Sequence, residues 1–158
     1  MATITAALNV NSDISSYGLT INNTMTMTKA GTNNGLERTS GLQRKYLTDK
    51  KHVDLIQGAL GVVADMTVSG DTAGKVYIKY LEDDTSKFIR VGLGNASTST
   101  TQTVNNGDAT FFEMGRLYGK EWMIIPWNGA SNVGDITVQP SSATAAAPAI
   151  VEYIVFFE

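Results

Sequence analysis

The chain has no cysteine, which removes a disulfide framework, a thiolate nucleophile and any cysteine-based metal site together. Stability must come from packing. A single histidine, His52, cannot build a multi-histidine metal centre. Proline is scarce, at 3 residues in 158, and charged residues make up only 17% where about a quarter is usual. A net charge of −3 argues against nucleic acid and membrane as partners, because displacing counterions from a phosphate backbone or an anionic lipid surface draws on an excess of clustered Lys and Arg. No stretch approaches the roughly 20 apolar residues that span a bilayer. The opening Met1–Val10 lacks the basic start and apolar run of a signal peptide, so the protein is expected to be made and kept in a cytosol, or to leave it by lysis.

What takes the place of charge is Thr, Asn, Ser and 15 Gly, around an apolar fraction of 42%. That balance points to an all-β chain. From Leu19 to Thr28 the odd positions read Leu, Ile, Asn, Met, Met and most even ones are Thr. This is the period-two pattern of a strand with one face on a core and a threonine-lined face outward. Residues 3–10 are either a second short strand or a flexible or partner-ordered arm. Between Lys29 and Lys51, loop chemistry (Ala30–Gly35) is followed by Arg38, Arg44, Lys45, Lys50 and Lys51. This segment reads either as a long surface loop or as a basic strip ordered by an acidic partner. Thr24, Thr26 and Thr28 on the threonine face, with Arg38, Arg44 and Lys45 in the basic segment, are the candidate contact residues.

Further strands are expected over His52–Leu55, Gly61–Ser69, Lys75–Leu81, Phe88–Leu93, Ala109–Met114, Trp122–Trp127, Asp135–Gln139 and Ile150–Phe157. Glu82–Ser86 is read as the loop of a β-hairpin. In the last strand Ile150, Ile154 and Phe156 point one way and Val151, Tyr153, Val155 and Phe157 the other, so an inner strand paired on both sides is predicted. Strands spaced by about 8 to 15 residues, with no helical window of ten, predict an antiparallel β-sandwich of jelly-roll type. Residues 1–50 form its extended N-terminal arm or long loop and residues 51–158 its core.

No chemistry-bearing pattern survives inspection. Gly70-Asp-Thr-Ala-Gly-Lys75 has three residues between its glycines where a phosphate loop needs four, and Val76 stands in place of the metal-binding Ser or Thr. Gly92-Leu-Gly94 leads into a Ser/Thr run, not a helix N-terminus. Glu82, Asp83 and Asp84 lack the spacing of a calcium loop. Glu82, Glu113, Glu121 and Glu152 read as solvated strand ends, although a glycosidase pair would draw on the same residue type. No catalytic, cofactor-binding or metal-binding residue is therefore assigned, and the chain is expected not to be an enzyme. Trp122, Trp127, Tyr118, Phe111 and Phe112 are either core aromatics between two sheets or a sugar-stacking platform.

Four segments carry a resemblance: Gly74-Lys-Val-Tyr-Ile-Lys79, Phe88-Ile-Arg-Val-Gly92, Gly107-Asp108 ahead of Ala109–Phe112, and Val151-Glu-Tyr-Ile-Val-Phe-Phe-Glu158. In this order they resemble a module of small virion proteins of tailed bacteriophages. The resemblance covers about half the chain, residues 74–158. Tyr80 stands where that pattern often has Asn, and Asn106 where it often has Pro. It implies a structural virion protein, above all a cement or decoration protein on the capsid surface. Such a protein is made in the bacterial cytoplasm, bound to the major capsid protein or another virion protein, and often trimeric. The competing roles are a neck, tail or fibre component and, in another class, a carbohydrate-binding β-sandwich.

Overall fold

Along Gly74–Tyr80 every second residue is buried: Gly74, Val76, Ile78 and Tyr80 face inward while Lys75, Tyr77 and Lys79 stay half-buried. Phe88–Leu93 and Ala149–Phe157 follow the same period of two over most of their length. The computed structural model describes residues 4–12, 19–28, 36, 38–56, 74–94, 111–127 and 136–157. Its strands are β1 (Thr5–Ser12), β2 (Leu19–Thr26), β3 (Arg38–Thr39), β4 (Gln43–Leu47), β5 (Val53–Ile56), β6 (Gly74–Tyr80), β7 (Phe88–Leu93), β8 (Phe112–Tyr118), β9 (Trp122–Trp127), β10 (Ile136–Pro140) and β11 (Ala149–Phe157). Among the described residues there is no helix, and every strand pairing is antiparallel.

The strands form a four-stranded sheet in the order β5-β10-β7-β8, a five-stranded sheet in the order β3-β11-β6-β9 with β4 also on β11, and a separate β1-β2 ribbon. Pairing is nested. β7 pairs with β8, β6 with β9 around them, β5 with β10 around those, and β4 with β11 outermost, the pairs falling alternately in the two larger sheets. Val76, Ile78, Tyr80, Val151 and Val155 from one sheet and Ile89, Val91, Ile136 and Val138 from the other belong to a single hydrophobic cluster. The arrangement is sandwich-like, with the core between the two sheets.

β11 is an inner strand, as its sequence predicts. Val151–Phe157 pairs with β6 along one edge, while β4 and β3 share the other. The break between β3 and β4 is made at Ser40 and Gly41. Ser40 donates its N–H to the Val155 carbonyl at 3.0 Å, and its hydroxyl oxygen accepts the Val155 N–H at 3.0 Å. Gly41 turns the chain at φ 68°, a conformation that costs glycine little.

Two sequence expectations are corrected. Glu82–Ser86 does not close a hairpin, because β6 and β7 lie in different sheets. Both strands bury alternate residues against the same core, so each finds its hydrogen bonds with other strands and the loop arches from one sheet to the other. Residues 38–47, read as arm or surface loop, contain β3 and β4 of the five-stranded sheet. Their strand signal is hidden because only Leu47 of β4 is buried, and an edge strand that exposes charged side chains looks like a loop in sequence. β8 runs from Phe112 to Tyr118, past the expected end at Met114, and residues 109 and 110 of that expectation lie outside the described residues. The expected strand Gly61–Ser69 and the Gly70–Lys75 turn up to residue 73 lie outside the described residues.

Candidate interaction surface

Neither strand of the β1-β2 ribbon carries a charged residue. Its register runs from Thr5↔Thr26 to Ser12↔Leu19 without a slip. Alternation then places Ala6, Leu8 and Val10 on the same face as Ile21 and Met25, and Thr5, Asn9 and Asn11 on the opposite face with Thr20, Asn22, Thr24 and Thr26. The sequence predicts that the apolar face covers the core. Instead Leu8, Ile21 and Met25 are 44%, 42% and 44% exposed. The ribbon is tied at its base, where Met27 is buried and donates its N–H to the Ile4 carbonyl at 2.8 Å. Beyond that base it meets β9, and a cavity of about 330 Å³ lies between Ala6, Ala7, Leu8, Asn23 and Met25 of the ribbon and Trp122 and Ile124 of β9.

Trp122 is 47% exposed and sits 6.2 Å from the Tyr77 ring, tilted by 36°. Burial, then the nearby Glu152 charge, pushes the Tyr77 hydroxyl up from its ordinary value. Trp127, by contrast, is core. The aromatics expected to act together are thus divided: Trp127 packs between the sheets, Phe111 lies against His52 at 4.5 Å, and Trp122, Phe112 and Tyr118 are exposed. On β8, Phe112, Met114 and Tyr118 are further exposed apolar side chains. The Phe88 ring lies 5.5 Å from that of Tyr118 and 4.7 Å from the Arg116 guanidinium. A hydrogen bond to Glu113 holds the Arg116 charge more firmly than usual.

The six residues singled out from sequence fall in two places. Thr24 and Thr26 are exposed on the polar face of the ribbon, and Thr28 is half-buried just beyond it. Arg38 pairs with Phe157 in β3, while Arg44 and Lys45 lie on β4. The ribbon adjoins β9 at one edge of the five-stranded sheet, and β3 and β4 sit at the other, with β11 and β6 between. Arg44 is engaged with Glu152 at 3.1 Å and Lys51 with Asp49 at 3.0 Å. The Asp49 carboxyl lies below its ordinary value because it accepts the Lys51 N–H and faces the Lys51 ammonium. The sequence does not mark Leu8, Ile21 and Met25 as surface residues, while the exposure of Trp122 agrees with the stacking-platform reading of the aromatics. The alternation in β2 is visible in sequence, but nothing in it says that the apolar side remains half open.

The carboxylates considered for catalysis have structural partners. Glu82 pairs with Lys87 at 3.2 Å, Glu113 with Arg116 at 2.9 Å, Glu152 with Arg44, and Glu121 accepts the Tyr118 N–H at 2.8 Å. Among the described residues no group of three or more His, Cys, Asp or Glu could hold a metal ion, and no helix is long and apolar enough to cross a membrane. Thr137 and Gln139, the buried polar residues of β10, are tied to neighbouring chain: Thr137 to Asp54 and the Gly94 carbonyl, and Gln139 to the Lys50 carbonyl at 3.1 Å. No protein-family model matches the chain, and no curated protein is similar to it.

Proposed function

We propose that the chain is a structural virion protein of a tailed bacteriophage, a capsid cement or decoration protein that binds the major capsid protein lattice as a homotrimer and stabilises the shell. The nested order β7-β8, β6-β9, β5-β10, β4-β11 supports a jelly roll with β1-β2 as its N-terminal arm, a fold that recurs in viral capsid and lectin domains. A fold does not fix a function, so the reading rests on one observation: a ribbon without charge whose Leu8, Ile21 and Met25 are more than 40% exposed. Surface of that kind gains free energy by being covered, and repetition over a lattice multiplies modest contacts. The resemblance of residues 74–158 to small phage virion proteins supplies the setting.

The test is co-sedimentation with purified phage heads and with tails. Saturable, stoichiometric binding to heads and a raised temperature of shell disruption are expected. Binding to tails alone would replace this role with a neck, tail or fibre role. One observation favours a second reading, a carbohydrate-binding module: Trp122 presents an exposed ring beside Tyr77, a flat surface suited to a sugar face. Quenching of Trp122 fluorescence by host polysaccharide, with no binding to heads, would establish it instead.

A further inference from the structure

Natural sheets blunt their open edges, and this chain does so at the outer edges of its two larger sheets. β5 is short, at 4 residues, and carries Asp54. β8 exposes Glu113 and Arg116, β4 exposes Arg44 and Lys45, and β9 contains Pro126, which has no N–H to offer an added strand. The ribbon has none of these devices. β1 and β2 are each 8 residues long, contain neither proline nor charge, and pair only with each other among the described residues. A two-stranded ribbon by itself is marginal in water, and this one exposes apolar side chains over a cavity that Trp122 leaves half open.

We infer that the occupant of this surface is a second copy of the chain, and that copies assemble by reciprocal exchange of the β1-β2 ribbon, each lying on the Trp122–Ile124 side of its neighbour's β9. Two strands with no charge have nothing along their faces with which to select a charged partner, whereas a neutral surface half apolar and half Thr/Asn is complementary to another like itself. Area decides the manner of contact. Strands of 8 residues give a face of about 27 by 10 Å, roughly 270 Å². One such face against another falls well short of the ~800 Å² per partner of a stable interface. Two exchanged ribbons, each laying one such face on an equal area of its neighbour, bury about 1,100 Å² in total before Trp122 is counted, close to the lower bound of ~1,200 Å² for specific pairs. The exchange also preserves each ribbon's existing contacts and is therefore a low-cost route to a closed assembly. This deepens the homo-oligomer part of the function proposed above and does not depend on the virion part.

The experiment exploits the absence of cysteine. Leu8 and Trp122 line the same cavity, so the double variant Leu8→Cys/Trp122→Cys, made in the full chain and mildly oxidised, can close a disulfide within one chain or between two. Covalent dimers or higher rings on a non-reducing gel are expected. Consumption of both thiols at the monomer mass overturns the proposal. Light scattering on Leu8→Glu/Met25→Lys covers the case in which no disulfide closes. With the β-sheet circular dichroism unchanged, the charged variant should fall to the 16.9 kDa monomer, while the control Thr85→Glu, in the exposed Glu82–Ser86 arch, should not. An oligomer that persists in the charged variant, or a wild-type chain monomeric at every concentration, overturns it. A monomer whose binding to heads is abolished by Leu8→Glu would assign the ribbon to the capsid lattice. An oligomer that ignores heads would retire the virion role and leave the exchange intact.

Discussion

Replacing Tyr80 by phenylalanine should make this protein more stable. Tyr80 closes β6 where the chain leaves the five-stranded sheet, its side chain is 0% exposed, and its hydroxyl has no hydrogen-bond partner among the described residues. A hydroxyl buried without a partner costs about 1–3 kcal/mol, and phenylalanine removes that cost while keeping the ring in the core. At 2–4 °C per kcal/mol for a chain of this size, the midpoint of thermal unfolding should rise by roughly 2–12 °C at neutral pH. A second signature appears in alkali. Burial, reinforced by the charges of Glu82 and Asp84, pushes the Tyr80 hydroxyl from 10.0 up to about 12. The folded state therefore holds this proton more tightly than the unfolded chain. The associated stability is fully present below pH 10 and is lost as the pH climbs through 12, a change of at most ~2.7 kcal/mol at 1.36 kcal/mol per pH unit. Tyr77 and Tyr153 are also raised, so the difference between wild type and Tyr80→Phe, followed by circular dichroism from pH 8 to 12, isolates Tyr80. A variant that melts lower than wild type, or two proteins with the same alkaline slope, would refute the reasoning.

Gly119→Ala should destabilise by about 1–3 kcal/mol in urea unfolding, because a Cβ there would stand 2.6 Å from the Asp84 carbonyl and 2.7 Å from that of Glu82, jamming the two inter-sheet connections together. Val155→Ala, at a fully buried core position, should cost about 2 kcal/mol, and Ile154→Ala, on the half-buried outer face of the same strand, clearly less; equal losses would show that the two faces of β11 are packed alike. The Asp84 carboxyl is held below 3.8 by the Ser86 hydroxyl and then the Ser86 N–H. Its contribution is present above pH 3.8 and is lost as the pH falls through its lower folded value. The advantage of wild type over Asp84→Asn should accordingly shrink on acidification, and a gap independent of pH in acid melts would contradict this.

Five strands that supply the core were legible in sequence almost to the residue. β7 and β9 match their expected limits, and β6, β10 and β11 do so within a residue or two. What escaped was pairing. Nothing local distinguishes a Glu82–Ser86 hairpin from an arch between sheets, because that choice depends on which strand offers the longer apolar match, and β11 and β9 outbid β7 for the edges of β6. β4 escaped for the opposite reason, since its packing rests on Leu47 alone and its register on backbone bonds that leave no trace in side-chain pattern. The candidate surface was legible by half. The period of β2 disclosed two chemically different faces, but the exposure of Leu8 and Trp122 depends on how far the ribbon stands from β9, a tertiary quantity.

The two-sided apolar character of β11 gains a physical explanation from the register of the five-stranded sheet. Its inner face, through Val151, Val155 and Phe157, fills the core. Its outer face belongs to two rows that cross the sheet: Ile154, Tyr77 and Ile124 in one, and Arg44, Glu152, Lys79 and Trp122 in the other. The first row is apolar from end to end and only half-buried. The second carries charge on three of its four residues and fixes it through the Arg44–Glu152 pair, where Arg44 remains mostly exposed, so that pair is worth at most about 1 kcal/mol. Its greater effect is to mark a boundary. A partner strand laid along the apolar row meets Ile124 and the cavity beside it at one end, and on one flank the cost of desolvating Lys79 and Glu152 stops the contact from spreading. A surface apolar in the middle and bounded by paired charge favours one docked position over many, which distinguishes an assembly surface from an aggregation hazard.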